Sequence, residues 1–249
     1  MVVVSTTPTR PDLTTALHDF VTAIARDGGP LPSETSLVAR FGASRPAVRE
    51  ALARLEERGL IHRSQGASTA INPSLSRLKA RLDEEVDKSE IISALGLAST
   101  LHVHRKEIVE VTDAEAEQFG LRAGCRALRT TKVWSADGVP CTMAVDSIPL
   151  EVDPALAAAE IDATPPVWHL AEAINGVHAA WETVWLTADK LDEIEAWLLQ
   201  RTAGEAVLRL TLHGLDPHGR TAYWADEIQT RDPIDYSLVR NIRRVRPTD

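Results

Sequence analysis

The sequence contains little cysteine, few aromatic residues and no long apolar run. Two cysteines in 249 residues, Cys125 and Cys141, are too few for a disulfide framework or a zinc ribbon. The sequence contains no run of about 18 apolar residues, so no membrane span is predicted. The first residues lack the basic region of a signal peptide. With 44% hydrophobic and 25% charged residues, the composition is typical of a globular protein. These features predict a cytosolic protein with one or two buried cores and no membrane partner.

The chain also lacks an overall positive charge, which taken alone argues against a nucleic-acid binder. Its net charge is −9, whereas phosphate binding favours a basic surface. The charge is uneven, because residues 1–73 hold eight arginines against seven acidic residues and residues 74–249 hold 19 basic against 29 acidic residues. Within the first part, the segment 40–63 combines three glutamates with six arginines: Arg40, Arg45, Arg49, Arg54, Arg58 and Arg63. This asymmetry predicts two domains with different partners; an arginine-rich solvated helix face is the alternative interpretation.

The N-terminal segment has the pattern of three helices followed by two short strands. Apolar spacing, serine caps and glycine stops predict these elements over residues 11–27, 33–41, 44–58, 60–63 and 69–71. Only Gly42, Ala43 and Ser44 join the second helix to the third. This spacing is typical of a helix-turn-helix, whose second helix enters the DNA major groove with its N-terminal residues facing the bases.

The third predicted helix presents two arginines on the side opposite its apolar residues. Arg45 and Arg49 are four positions apart and therefore share one face, while Val48, Leu52 and Leu55 form the other. An arginine at the start of such a helix can bind the O6 and N7 atoms of guanine or hold a phosphate. The pattern therefore predicts that Arg45 and Arg49 contact DNA.

The segment LPSETSLVARFGASRPAVREALARLEERGLIHRSQGASTAI closely resembles the winged helix-turn-helix of the GntR family over about forty residues without a gap. The resemblance implies a DNA interface formed by Ser33, Thr35, Ser44, Arg45, Pro46, Ala47, Arg49, Arg63, Gln65, Gly66, Ser68 and Thr69. The family usually has arginine at the position of Thr35 and a second wing glycine at the position of Ser68, so weaker or altered DNA contacts are expected there. Glu34 is interpreted as a first-turn acid that favours the helix dipole rather than as a DNA contact.

An internal repeat marks the second half of the chain. The sequence AGCRALRTT at 123–131 recurs 80 positions later as AGEAVLRLT at 203–211. Each copy follows a helix-like segment, 112–119 and 188–199, and leads through a turn into a second strand. The repeat predicts one antiparallel sheet with packed helices and, with the N-terminal helices, an α+β fold. The arginine that the copies share is either an exposed residue of a strand edge or part of a site.

Between the two halves the pattern is less clear. Residues 75–97 look helical without a clean apolar stripe, and residues 102–111 alternate enough for a strand. The sequence therefore predicts a DNA-binding domain over 1–73, a linker over 74–89 and a second domain over 90–249.

The second domain resembles the UTRA effector-binding domain, which accompanies the HutC branch of GntR regulators and has a chorismate-lyase-like fold. The resemblance covers about residues 90–245 through the ordered motifs D-G-x-P, I-P-L, E-T-V-W, A-G-E-A-V-L-R-L, G-R and R-D. It implies a homodimeric repressor of a palindromic operator. A small-molecule effector, an anionic or aromatic metabolite, would bind the second domain, and no cofactor is implied.

The resemblance places the effector at Lys132, Trp134, Trp168, Glu182, Tyr223 and Glu227. Two basic residues that often hold an anionic group in the family correspond to Lys132 and Trp134. One cation is thus replaced by an aromatic face, which argues against a sugar phosphate. All six tryptophans follow residue 130. Trp224 is expected to join Trp134 and Trp168 in the pocket wall, and Trp197 is expected in the core.

Two other function classes stay open at this point. An enzyme of the chorismate-lyase-like fold is the main alternative, but no nucleophile–base pair supports it. His102 and His104 alternate on one predicted strand without a third metal ligand. A DNA-binding structural protein without a ligand is the other alternative, and the large second domain argues against it. A ligand-responsive transcription factor that is not an enzyme is the leading interpretation.

Overall fold

The structure is a computed structural model of the chain, and it describes residues 13–63, 69–84, 86–150 and 161–240. The chain forms two compact units. The sheet unit spans 86–235, and the N-terminal unit combines the described residues of 13–84 with residues 236–240. The predicted wing residues Gln65, Gly66 and Ser68 lie outside the described residues. In the described part of the chain, no helix is both long and apolar enough to cross a membrane.

The N-terminal unit contains three helices and a two-stranded antiparallel sheet. Its elements are α1 (Leu13–Asp27), α2 (Glu34–Phe41), α3 (Arg45–Glu57), β1 (Ile61–His62) and β2 (Ala70–Ile71). The predicted order of three helices and two strands is confirmed. The apolar sides of the three helices meet in one core that includes Leu17, Val21, Leu37, Val48, Leu52 and Leu55.

Local chemistry fixes both ends of α3. Ser44 caps the start, since its side chain accepts a hydrogen bond of 3.3 Å from the backbone N–H of Ala47. Gly59 follows the helix with a φ of +74°, and a Cβ at this position would lie 2.7 Å from Cδ1 of Leu75. A residue with a side chain would therefore be both strained and crowded at this turn.

The N-terminal unit is completed by a segment from the far end of the sequence. Ser237 donates a backbone hydrogen bond of 2.9 Å to Ala80, and Leu82 donates one of 2.8 Å back to Ser237. Residues 236–240 thus lie with the N-terminal unit, which differs from the expected second domain over 90–249. The shared backbone bonds could not be read from the sequence, because neither segment has a repeating apolar pattern.

The predicted helix over 75–97 is wrong for most of its length. Among its described residues, only α4 (Lys88–Ala94) is α-helical, and the residues before it form turns and a single bridge. Asp87 begins α4 by accepting a hydrogen bond of 2.6 Å from the backbone N–H of Ser89. Without an apolar stripe, the earlier residues have no helix face to bury.

The sheet unit is built on six antiparallel strands in the order β3-β4-β5-β8-β7-β6. The strands are β3 (Ser99–Glu110), β4 (Arg126–Ala136), β5 (Val139–Leu150), β6 (Trp181–Lys190), β7 (Ala206–Leu215) and β8 (Thr221–Gln229). Besides α4, its helices are α5 (Asp113–Gln118), α6 (Val167–Asn175) and α7 (Glu193–Leu198). The structure confirms the α+β fold class.

The unit is duplicated, as the repeat predicts. The order α4-β3-α5-β4-β5 recurs as α6-β6-α7-β7-β8, and β5 and β8 join the two halves. The expected helix over 188–199 starts too early, because residues 188–190 complete β6. Asp192 sets the true start: it accepts a bond of 2.7 Å from the backbone of Glu195, whose carboxylate accepts one of 2.9 Å in return.

The arginine shared by the two copies has the same partner in each. Arg129 on β4 pairs with Glu115, and Arg209 on β7 donates to Glu195 at 2.8 Å. Both glutamates belong to the capping box at the start of the preceding helix. The conserved chemistry of the repeat is therefore structural, since it ties each short helix to the strand that follows.

Alternate residues of the strands face opposite sides of the sheet. Helices α5 and α7 lie on the side of Arg129 and Arg209, which we call the α5/α7 face. Helix α6 packs on the other side through Val167 and Leu170, and we call this side the α6 face. Trp197, expected in the core, is instead exposed on α7. Its helical spacing indicated a shared face, but no described element covers that face.

Candidate functional site

The first turns of α2 and α3 are each capped by a serine and are linked to each other. Ser33 accepts a hydrogen bond of 3.2 Å from the backbone N–H of Ser36, which repeats the cap that Ser44 provides for α3. The guanidinium Nε of Arg49 lies 3.7 Å from Oε2 of Glu34. Glu34 therefore contacts a residue predicted to bind DNA, in addition to its place in the first turn of α2.

Most of the residues implied at the DNA interface are exposed and concentrated at these two helix starts. The exposed ones are Ser33, Thr35, Ser44, Arg45, Pro46 and Arg49, and Ala47 is half-buried. The two arginines are exposed, but they lie beside the buried residues Val48, Leu52 and Leu55 on α3 rather than directly opposite them as the spacing predicted. Within the described residues, this surface is exposed and carries the cations Arg45 and Arg49 beside the carboxylate of Glu34.

The residues at the border of the predicted wing are less accessible. Arg63 donates from Nε to Glu56 at 2.7 Å, and its backbone N–H donates to the same carboxylate at 2.9 Å. These two bonds hold the pKa of Glu56 below its usual value, the backbone bond contributing most. Thr69 is half-buried just before β2. Arg63 is therefore held against α3 and is less available to DNA than Arg45 or Arg49.

A second candidate site lies on the α6 face, where charged side chains are buried at the centre of the sheet. Nζ of Lys132 is fully buried and lies 2.9 Å from Oδ2 of Asp146. The same ammonium donates a hydrogen bond of 2.9 Å to the backbone carbonyl of Pro165, which precedes α6. Lys132 thus connects β4, β5 and the segment that leads into α6.

A matching pair comes from the other half of the duplicated sheet. Nζ of Lys88 lies 3.3 Å from Oε1 of Glu227, and Gln229 donates to the same carboxylate at 3.0 Å. Lys132 and Leu212 are equivalent positions of the repeat, and the strand registers place Ala144 opposite the first and Ala225 opposite the second. Asp146 and Glu227 each follow these alanines by two residues, so they occupy corresponding positions of the two copies. Each buried carboxylate therefore has its own buried lysine.

A third carboxylate, Glu182 on β6, reaches the same face. It accepts a hydrogen bond of 2.6 Å from the hydroxyl of Tyr223. Burial raises the pKa of Glu182, and the neighbouring carboxylates of Glu227 and Asp146 raise it further, against the lowering effect of the Tyr223 hydrogen bond. The cluster thus combines three carboxyl groups with two lysines.

Gly214 makes the contact between Tyr223 and Glu182 geometrically possible. On β7, Gly214 lies opposite Tyr223 of the neighbouring strand β8 and opposite Glu182 of the other neighbouring strand, β6. A Cβ on Gly214 would lie 2.2 Å from Cε1 of Tyr223. The tyrosine ring therefore crosses the bare backbone of β7 to reach the carboxylate.

The structure brings most of the implied effector residues together on the α6 face. Lys132, Tyr223 and Glu227 are buried there, and Glu182 reaches them from β6. Trp134 follows Lys132 on the same side of β4 and is buried; its indole N–H has no hydrogen-bond partner within the described residues. Trp168 is half-buried in the first turn of α6, at the edge of the core on this face.

Other residues of this region differ from the expectations. Trp224, expected in the pocket wall, lies on the α5/α7 face and stacks on Phe119 with ring centroids 5.5 Å apart. Sequence reasoning missed Lys88, Asp146 and Gly214. An acidic residue inside the apolar strand MAVDSIPL was the available signal for Asp146. Nothing comparable marks the other two, whose roles depend on strand register and tertiary packing.

Two other features, a cavity at the end of α5 and a pair of histidines on β3, are not assigned as an effector site or a metal site. A cavity of about 800 Å³ at the end of α5 contains none of the six implied effector residues, and its Arg220 is paired with Asp216 at 2.7 Å. The rings of His102 and His104 touch, with centroids 4.4 Å apart. Across the described ranges, no group of three or more His, Cys, Asp or Glu side chains could hold a metal ion.

Two family models match this chain. Residues 18–71 match the model described as bacterial regulatory proteins, gntR family, and residues 94–232 match the UTRA domain. The first match covers α2, α3 and both strands of the N-terminal unit, and the second covers all six strands of the large sheet.

Named relatives are regulators of transcription. The chain is 27% identical to the HTH-type transcriptional repressor NagR of Bacillus subtilis over 123 residues. These residues make up 49% of this chain and 50% of NagR. The chain thus spans about half the length of the curated relatives it matches. The structure of PhnF from Mycobacterium smegmatis is 19% identical, with a TM-score of 0.59 over 93% of this chain and 100% of that one. YydK, a possible transcriptional regulator of Bacillus subtilis, is 15% identical, with a TM-score of 0.68 over 92% and 97%. At these identities the two structures establish the fold.

Proposed function

Since the chain belongs to the UTRA domain family and carries the helix-turn-helix of the GntR family of bacterial regulatory proteins, we propose that it represses transcription in response to a small molecule. It acts in the cytoplasm as a homodimer on a palindromic operator. The observation that carries the proposal is the pairing of an exposed arginine surface in one unit with a buried charged cluster in the other.

The N-terminal unit reads the operator through the start of α3. Arg45 and Arg49 are the cations of that surface, and Glu34 holds Arg49 from the neighbouring helix. The ion pair between Glu34 and Arg49 is exposed and therefore weak, so it does not keep the guanidinium from a base or a phosphate. Because the rest of the chain is acidic, non-specific attraction to DNA is modest and binding depends on these contacts.

The sheet unit binds the effector on its α6 face. Lys132 and Lys106 donate to the carbonyls of Pro165 and Ile161, so the segment before α6 is tied to the sheet by two lysines. An anionic effector must compete with Asp146 for Lys132, whereas an aromatic effector has the rings of Trp134 and Trp168 nearby. Either mode replaces contacts of the segment before α6, and the effector thereby changes the conformation of the sheet unit.

An enzyme with an accessory DNA-binding unit is not favoured, because the relatives are named as regulators: NagR as a transcriptional repressor and YydK as a possible transcriptional regulator.

The DNA-binding part of the proposal is tested with two arginine variants of the same helix. A double-stranded sequence is first selected from a random DNA library with the unmodified protein. Arg49→Ala should then weaken binding to that sequence by about 1–3 kcal/mol, which is a 5- to 150-fold rise in Kd. Arg54→Ala should leave binding almost unchanged, because Arg54 lies near the other end of α3 and pairs with Glu50 at 2.8 Å. Equal effects of the two variants, or the failure of any sequence to be selected, would contradict the proposal.

The effector-binding part is tested by a thermal-shift screen of anionic and aromatic metabolites. A ligand at 100 times its Kd should stabilise the protein by about 2.7 kcal/mol and should release the selected DNA. Trp168→Ala should abolish the ligand-induced shift, measured against the variant's own melting temperature. Glu172→Ala is the matched control, since Glu172 is exposed on the same helix. A full shift in Trp168→Ala would place the ligand elsewhere.

A further inference from the structure

The cavity of about 800 Å³ at the end of α5 opens on the α5/α7 face of the sheet unit. Its wall is formed by the last turn of α5, the loop after it, the end of β5 and the turn between β7 and β8. His213 also lines it, and it points to this face because it lies four residues after Arg209 on β7. The volume is in the range of small-molecule sites, and the effector cluster lies on the opposite face.

Two hydrogen bonds in the cavity wall fix the state of His213. The hydroxyl of Thr221 donates to the backbone carbonyl of Phe119 at 2.5 Å, because a carbonyl oxygen can only accept. The Thr221 oxygen, 2.8 Å from Nε2 of His213, must then accept from that nitrogen. Burial lowers the pKa of His213, so the ring is neutral near pH 7 and Nδ1 keeps its lone pair. Nδ1 is thus an acceptor without a hydrogen-bond partner within the described residues.

The other half of the duplicated unit shows that the fold does not need this polar pair. The strand registers and the repeat place Val133 and Pro140 at the positions of His213 and Thr221. Val133 packs with the fully buried Leu199, which follows α7, in one apolar core. A half-buried imidazole loses hydration that the apolar version does not lose. We therefore assign the polar pair to ligand binding and not to folding.

The end of β5 explains why the cavity lies in this half of the unit. In the other half, Thr230 donates a backbone hydrogen bond of 3.0 Å to Cys141 and extends the ladder between β8 and β5. The corresponding residue, Pro149, has no N–H to donate. Arg201, after α7, donates to a backbone carbonyl of the chain that follows β8, at 3.4 Å. Its counterpart after α5 is Leu121, which has no donor, and Leu121 and Pro149 both line the cavity.

The cavity wall also contains a cation. Arg122, on the loop after α5, is exposed and has no carboxylate partner within the described residues. The other charged residues of the wall are Glu117 and Arg220, and Asp216 already binds Arg220. A guanidinium can bind a carboxylate through two parallel hydrogen bonds. The wall therefore combines a cation, a hydrogen-bond acceptor and apolar surface.

We propose that this cavity binds a small hydroxycarboxylic acid, whose carboxylate pairs with Arg122 and whose hydroxyl donates to Nδ1 of His213. The apolar part of the ligand lies against Leu121 and the end of β5. The site goes beyond the proposed function, because it is a second ligand site that uses neither Lys132 nor Trp168. An acid without a hydroxyl group leaves Nδ1 without a donor and binds more weakly.

Cys125 lines the cavity and reports its occupancy in the full-length protein. It is half-buried, whereas Cys141 is buried and serves as the internal control. Burial raises the pKa of the Cys125 thiol, so labelling with N-ethylmaleimide is followed at about pH 8.5. The probes are lactate, mandelate and phenyllactate. At about ten times its Kd, a bound probe should slow the labelling of Cys125 by about tenfold.

Two comparisons test the two polar contacts. Arg122→Gln should raise the probe concentration for half-maximal protection by about fivefold, measured against the variant's own labelling rate. Arg126→Gln is the matched control, since Arg126 is exposed nearby on β4 but is not part of the wall. Phenylpropionate, which is phenyllactate without the hydroxyl, should also need about fivefold more for the same protection.

Each result decides one part of the proposal. No protection of Cys125 by any of the three probes at about 10 mM would overturn the site. An unchanged response of Arg122→Gln would overturn the carboxylate contact, and equal potency of phenylpropionate would overturn the contact with His213. Trp168→Ala, which tests the effector site, should keep the protection. Protection that is lost in Trp168→Ala would come from the effector site and would refute a second site, whereas a failed effector screen with Cys125 protected would refute only the proposed effector site.

Discussion

Replacing Gly214 with alanine should destabilise the sheet unit by about 1–3 kcal/mol and break the hydrogen bond between Tyr223 and Glu182. A glycine-to-alanine change in a strand is ordinarily neutral or stabilising, because alanine restricts the unfolded chain. Here the added Cβ would lie 2.2–2.6 Å from three ring atoms of Tyr223, a buried side chain that cannot move aside without leaving its site. Urea unfolding followed by circular dichroism measures the loss.

Two comparisons isolate this clash. Gly29→Ala is the matched control, because its Cβ would meet one atom at 3.4 Å, the Cγ2 of Ile24, and should change stability by less than about 1 kcal/mol. In a Tyr223→Ala background, Gly214→Ala should cost much less, since the ring is gone. An equal cost in both backgrounds would show that the ring does not explain the glycine.

Replacing Lys132 with methionine should cost about 3–5 kcal/mol of folding free energy, because it leaves Asp146 buried without its cation. Lys132 has no exposed side-chain surface and Asp146 has 6%, so water does not compensate the lost partner. The measurement is again the free energy of unfolding, taken at pH 7. Removing both charges with Lys132→Met and Asp146→Leu should recover most of the loss, since a packed apolar pair replaces the ion pair.

An exposed ion pair of the same sheet provides the scale for this effect. Arg105 pairs with Glu107 at 2.9 Å and is 69% exposed, so Arg105→Met should cost less than about 1 kcal/mol. If Lys132→Met were as mild as Arg105→Met, Lys132 would not be the buried anchor that the geometry indicates. If the double variant were no more stable than Lys132→Met, the loss would come from the missing hydrogen bond to the Pro165 carbonyl and not from the unpaired carboxylate.

The sequence predicted most of the fold because its patterns are local. Helices α1–α3 have apolar spacing, caps and glycine stops, and α5 has a capping box at Thr112 and Glu115 that the structure reproduces. The repeat at an offset of 80 predicted the two matching halves of the sheet, because each copy carries its own helix, strand and turn. Where the local pattern was weak, as in 75–87, the prediction of a helix was wrong.

The candidate effector site was only partly predictable. Residues such as Lys132 and Glu227 were available through a family resemblance, but their partners depend on which strands become neighbours. Asp146 meets Lys132 only because β4 pairs with β5 in one register, and Lys88 reaches Glu227 from a helix more than a hundred residues away. The exposure of Trp197 has the same cause, since amphipathic spacing shows which residues share a side but not what covers that side.

The association of residues 236–240 with the N-terminal unit has a consequence for exchanging modules between regulators of this kind. Ser237 bonds to residues 80 and 82, and the adjacent Arg81 is buried, with its guanidinium 3.5 Å from the carbonyl of Arg58 at the end of α3. The sheet unit is therefore an insertion within a discontinuous unit. A graft of this sensor onto another DNA-reading unit needs two junctions, before residue 86 and after residue 235, because a single junction would separate α3 from part of its support.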